Sequence, residues 1–179
     1  MLAVLRIIGT FNAAIWIGSA LFFTFGVAPG IFSDEMKQVF APPGGPLGDY
    51  YLGFIAQKLI GRYFLVNLAC ALIALGHFFA EIIYAGKPFR RFQFGLIVLM
   101  LVLGLLGGNL FAPKIKTAHQ LKYRGPVEQR DGAAKQLARL HGISMSGNLL
   151  SLLALVIYTW QVTNPPDHTR FLSAKKFRG

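Results

Sequence analysis

Four long apolar runs, separated by two long polar loops and one short one, set the pattern of the chain. They cover residues 4–27, 63–85, 92–112 and 141–162. The first holds one charge, Arg6, near its start, where a long side chain can reach the interface. The second holds His77 and Glu81, and the other two hold no Asp, Glu, Lys or Arg. A helix rises about 1.5 Å per residue, so about 20 residues cross roughly 30 Å of hydrocarbon, and each run is long enough. Lipid offers backbone groups no hydrogen-bond partner, so each run must be a helix, and the alternation of a β-barrel is absent. The expected fold is an all-α membrane protein with four transmembrane helices in a bundle. The first run exceeds the 7–15 residues of a signal-peptide core, and no clear small-residue cleavage site follows it, so it reads as a retained helix.

The polar punctuation repeats. Ala28-Pro29-Gly30-Ile31 follows the first run and Ala112-Pro113-Lys114-Ile115 the third; Gly45-Pro46 and Gly125-Pro126 break the two long loops. Leu59-Ile60-Gly61 with Asn67-Leu68 opens the second run, and Leu140-His141-Gly142 with Asn148-Leu149 opens the fourth at the same internal spacing. One transmembrane domain, 1–162, is therefore expected, built from repeats 1–85 and 92–162 and followed by a basic tail, 163–179. Each repeat has two spans, so both enter the membrane from the same side and are related by an axis along its normal. The loops carry amphipathic stretches. Phe32, Met36, Val39 and Phe40 fall near one face with Asp34, Glu35 and Lys37 outside it, and Ala134, Leu137 and Ala138 alternate with Lys135 and Arg139. Such segments lie in the headgroup plane or pack on the protein's polar end. Residues 41–48, rich in Pro and Gly, read as a stiff turn.

Composition agrees with the pattern: only 14% of the 179 residues are charged, mean hydropathy is +0.52, and soluble domains average about a quarter charged. A soluble enzyme, a disordered chain and a disulfide scaffold are excluded. The net charge of +11 does not point to nucleic acid, because a nucleic-acid binder needs no long apolar runs. Eight basic residues fall on the side of the N-terminus, the 87–91 loop and the tail, and ten on the other. Positive charge therefore sets no orientation. The single cysteine, Cys70, reads as a small core residue. Tyr158 and Trp160 read as interfacial anchors, and the tail ending Lys175-Lys176-Phe177-Arg178 as attracted to anionic headgroups.

Candidate chemistry is sparse. Each run carries one Asn: Asn12, Asn67, Asn109 and Asn148. The last three, with Ser144 and Ser146, fall in the half nearest the long loops; with His141 they are either interhelical polar contacts or a small-ligand pocket. His77 and Glu81 are four residues apart, hence on one helical face near Lys87. A carboxylate at mid-membrane costs about 2.5–3.5 kcal/mol, so Glu81 should be interfacial, paired or protonated. The pair reads as an interhelical or interfacial contact, or as a proton relay or half a haem or metal site. A metal site needs three or four ligands, and no metal residue is assigned. Gly104 and Gly108 form Gly-x-x-x-Gly, and Ala14 and Gly18 a second small pair, as helix-packing positions. No Walker loop, Gly-x-Ser-x-Gly, Cys-x-x-Cys or His-Glu-x-x-His motif occurs, so no catalytic residue and no enzyme activity are expected.

Trp16-Ile17-Gly18, then Phe22-Phe23 and residues 27–32, resemble the opening of a bacterial four-helix membrane domain of unknown function. Residues 139–144 with Asn148-Leu149 resemble that family's fourth span and a His-Gly-x-Ser-x3-Asn pattern of the vertebrate transmembrane protein 205-like family. The architecture is more distantly similar to the copper-resistance D group, which implies copper handling, although the spans hold no Met- or His-rich motif. The resulting expectation is a non-enzymatic, multi-pass integral membrane protein, in the cytoplasmic membrane if bacterial. It would serve as an accessory or structural subunit packing against other membrane helices, or self-associate, in contact with lipids and without nucleic acid. No cofactor is expected. The alternatives are a haem- or copper-binding membrane protein using His77 or His141, and a small-solute or ion permease using the Asn residues with Glu81.

Overall fold

The computed structural model describes residues 2–40 and 48–164. The tail after Asn164 and most of the Pro-Gly turn lie outside the described residues. Helix α1 (Leu2–Phe22) passes through a π-helical segment (Phe23–Val27) into α2 (Ala28–Ile31). A short α3 (Asp34–Phe40) precedes the long α4 (Gly48–Ala85). Helix α5 (Arg91–Leu106) passes through a second π-helical segment (Gly107–Phe111) into α6 (Ala112–Arg124), and α7 (Val127–Thr163) closes the fold. No strand occurs among the described residues. Four helical rods are long and apolar enough to cross a membrane: Ala3–Ile31, Gly48–Ala85, Arg91–Arg124 and Val127–Thr163.

Both π-helical segments sit immediately before an Ala-Pro pair, and this has a common cause. Proline has no N–H to donate, and its ring clashes with the carbonyl four residues earlier. Those carbonyls belong to Phe25 and Asn109, each inside a π-helical segment. The wider turn, with Ala28 N–H bonded to Phe23 O and Ala112 N–H to Gly107 O, moves the obstructing carbonyl aside without breaking the rod.

Helix α1 packs on α4 and α7, and α5 packs on the same two, so the four form a ring in the order α1, α4, α5, α7. The core inside it joins Trp16, Ala20, Cys70, Phe78, Met100 and Leu155, and Tyr158 packs edge-on to Trp16 at 5.6 Å. Trp160 points outward, whereas Tyr158 is buried; the anchor role expected for both falls to Trp160 alone. Tyr158 turns inward because Trp16, distant in sequence, offers it an aromatic surface.

The rods outrun the bilayer. At about 1.5 Å per residue, the 38 residues of α4 span about 57 Å. The excess lies on the side of the long loops. There Ile31, Leu52 and Ala56 form a second small core, against which Met36 and Phe40 of α3 pack, while Phe32 and Val39 face out. Ser33 caps α3 by accepting from Met36 N–H at 3.3 Å. Ala134 and Leu137 lie within α7 itself, continuous with the fourth span, and that part of α7 runs beside α6. In this second amphipathic stretch Ala134 and Leu137 are half-buried, while Ala138 is exposed.

Candidate functional site

The clearest polar site is built at the short-loop end by the way α4 stops. Gly86 takes φ +61°, a backbone that L side chains rarely adopt, and the Lys87 amide turns back to donate to the Glu81 carbonyl at 3.3 Å. Arg90 is extended and accepts from Phe94 N–H at 3.0 Å, which starts α5. The loop thus brings two cations onto one carboxylate. Lys87 Nζ donates to Glu81 Oε1, and Arg90 Nη2 donates to Oε2 at 2.9 Å. The intramembrane acid is therefore paired, as its cost in lipid demands. Phe78, Phe89 and Phe94, with centroids 5.3–5.6 Å apart, cover the loop beside it.

One turn earlier, His77 is 6% exposed, and its Nε2 lies 3.9 Å from Glu81 Oε1 and 2.8 Å from the Leu5 carbonyl oxygen. A carbonyl only accepts, so Nε2 donates to it, and in the neutral imidazole Nδ1 is then the acceptor. Space for the ring comes from Gly9, where a Cβ would lie 2.5 Å from His77 Cε1 and 2.6 Å from Nε2. Beside these groups lies a cleft of about 260 Å³, lined by Arg6, His77, Glu81, Lys87, Arg90 and Gln93, with the end of α7 at Gln161. Three cations and one carboxylate make it electropositive. His77 Nδ1 and Gln93 Oε1 are buried with no hydrogen-bond partner among the described residues.

The other expected positions fall elsewhere. Asn12 Nδ2 donates to the Cys70 carbonyl at 3.0 Å, and Trp16 Nε1 donates to Asn67 Oδ1. Asn148 Nδ2 donates to Thr24 Oγ1 at 2.8 Å and its Oδ1 accepts from Tyr63 at 3.5 Å. Asn67 thus ties α4 to α1, and Asn148 ties α7 both to the first rod at Thr24 and to α4 at Tyr63. Asn109 and His141 are exposed, Ser144 is half-buried, and Ser146 bonds the Gly142 carbonyl of its own helix. The structure does not gather Asn67, Asn109, Asn148, Ser144 and His141 into one pocket. Gly104 lies against Asn67, 2.8 Å from a built Cβ to Nδ2, and Gly107 against Phe64; Gly108 is only at the edge of that contact. Ala14 and Gly18 face outward, and nothing lies within 4 Å of a Cβ at Gly18.

At the opposite end, His119 stacks on Tyr50 at 5.2 Å and tilts against Tyr123 at 5.0 Å, while the Arg124 guanidinium covers the Tyr50 ring at 4.4 Å. Among the described residues no group of three or more His, Cys, Asp or Glu could hold a metal ion. Sequence reasoning reached His77 and Glu81 but missed Arg6, Arg90, Gln93 and Gln161 as their neighbours. The available signal was a lone intramembrane acid next to a five-residue loop bearing cations.

Four apolar rods around a shared core define a multi-pass helical membrane protein. The chain belongs to the family described as Domain of unknown function (DUF4149), whose model matches residues 11–124, from α1 to the end of α6. Comparison with curated proteins and with solved structures finds no match in either.

Proposed function

We propose that this protein is a non-enzymatic membrane protein that acts by lateral packing against other membrane helices, as an accessory or structural subunit or through its own copies. One observation carries the reading. On the outer face of α1, Ala14 and Gly18 leave a notch between the exposed Phe11, Ile15, Phe22 and Phe25. Small residues between large apolar ones let a second helix backbone approach closely. The inward glycines, by contrast, are already occupied by Asn67 and Phe64. Asn12, Asn67 and Asn148 are engaged in bonds between helices, which supports a packing role over a polar path for solute. The paired π-helical segments before Ala-Pro support reading the two halves as parallel repeats. Gly18→Leu fills the notch. Loss of co-purifying protein or of self-association in mild detergent, with the fold retained, is expected; a monodisperse monomer whose behaviour is unchanged by Gly18→Leu contradicts the proposal. A colourless, metal-free pure sample would end the haem or copper alternative, and unchanged flux of Glu81→Ala in reconstituted vesicles would end a permease role for Glu81.

A further inference from the structure

Beyond helix packing, the cleft beside Glu81 has the chemistry of a ligand site. Its cations are not all spent. Lys87 and Arg90 each give a donor to Glu81 and retain others, and Arg6 makes no ion pair among the described residues. An anion with several oxygens suits this set. The cleft is also lined by His77 and Gln93, side chains 6% and 1% exposed, whose Nδ1 and Oε1 are buried with no hydrogen-bond partner among the described residues. A buried acceptor without a partner is costly, so these atoms call for hydroxyl donors. Anion and hydroxyls are therefore wanted in one cleft, in a space far larger than the roughly 30 Å³ share of one water.

The position of the cleft selects the source. It lies where α1 begins, α4 ends, α5 begins and α7 ends, with Tyr84, Phe89, Phe92 and Trp160 exposed around that end. Aromatic side chains there mark the depth of lipid headgroups. We propose that the cleft binds the headgroup of an anionic phospholipid carrying free hydroxyls, a phosphodiester bearing a short polyol. Arg6 and the spare donors of Lys87 and Arg90 hold the phosphate, and the polyol donates to Gln93 Oε1 and His77 Nδ1.

The test uses the full chain in nanodiscs of phosphatidylcholine with either phosphatidylglycerol or phosphatidylserine added, reading retained lipid by native mass spectrometry. Phosphatidylglycerol should be retained about tenfold over phosphatidylserine, which is anionic but lacks the diol. Gln93→Leu should erase that preference while leaving anionic lipid bound, and Arg6→Gln should weaken both lipids; neither variant removes a partner of the Glu81 ion pairs. Equal retention of the two lipids, or a preference unchanged in Gln93→Leu, overturns the proposal. So does glycerol 3-phosphate alone binding as tightly as the lipid, since the ligand would then be a soluble phosphate ester.

Discussion

Glu81 at one end of the bundle is held between Lys87 and Arg90, while at the other end His119 is held between Tyr50 and Tyr123 with Arg124 over the Tyr50 ring. The first arrangement uses opposite charges and a five-residue loop; the second uses flat aromatic surfaces on three-dimensional neighbours from α4 and α6. The difference follows from where each end lies. Glu81 is on a span, where an unpaired carboxylate is costly, so its partners must be ionic. His119 stands on the helical extension past the second π-helical segment, where the Tyr50 and Tyr123 rings enclose it, and Gly53 supplies the space by having no Cβ to meet Nε2.

The largest effect should come from the ionic end. Glu81→Ala leaves Lys87 and Arg90 facing each other without a counter-charge, and a broken buried pair costs about 3–5 kcal/mol. Because both cations retain some access to solvent, a loss near 3 kcal/mol is expected in detergent unfolding. Next come the glycines that seat the two histidines. Gly53→Ala and Gly9→Ala each drive a methyl into an imidazole and should cost about 1–3 kcal/mol. Gly9→Ala should also displace His77 from the Leu5 carbonyl, visible as a shifted imidazole resonance. Gly86→Ala forces a side chain into positive φ and should cost about 1 kcal/mol, loosening Lys87 from Glu81. Smallest is Arg124→Ala, at about 0.5–1 kcal/mol for an exposed cation–π contact. If Arg124→Ala proved as damaging as Glu81→Ala, the contrast between the ends would fail.

The four spans were legible because hydrocarbon thickness turns apolar length into a helix of known reach. His77 and Glu81 were legible as one face because i and i+4 positions coincide on any helix. Lys87 was expected near them, but Arg90 was not, since it meets Glu81 only after Gly86 reverses the chain, and hydropathy carries no sign of that reversal. The π-helical segments were hidden for a similar reason: the Ala-Pro repeats are plain in the sequence, but whether a proline ends a rod or widens it depends on packing beyond it. Ala134 and Leu137 looked separate from the fourth span because charges interrupt the apolar run, yet the helix continues through them against α6. The notch at Ala14 and Gly18 and the contact at Gly104 share one sequence pattern; only the ring order separates outward from inward.

Four membrane-crossing rods require the two ends of the bundle to lie on opposite sides of one bilayer. In a Cys70→Ala background, single cysteines at Pro88, beside the Glu81 cluster, and at Val127, beside Arg124, can be probed in sealed vesicles with a membrane-impermeant thiol reagent. One site should label from outside and the other only after the vesicles are opened. Labelling of both sites from the same side would contradict it.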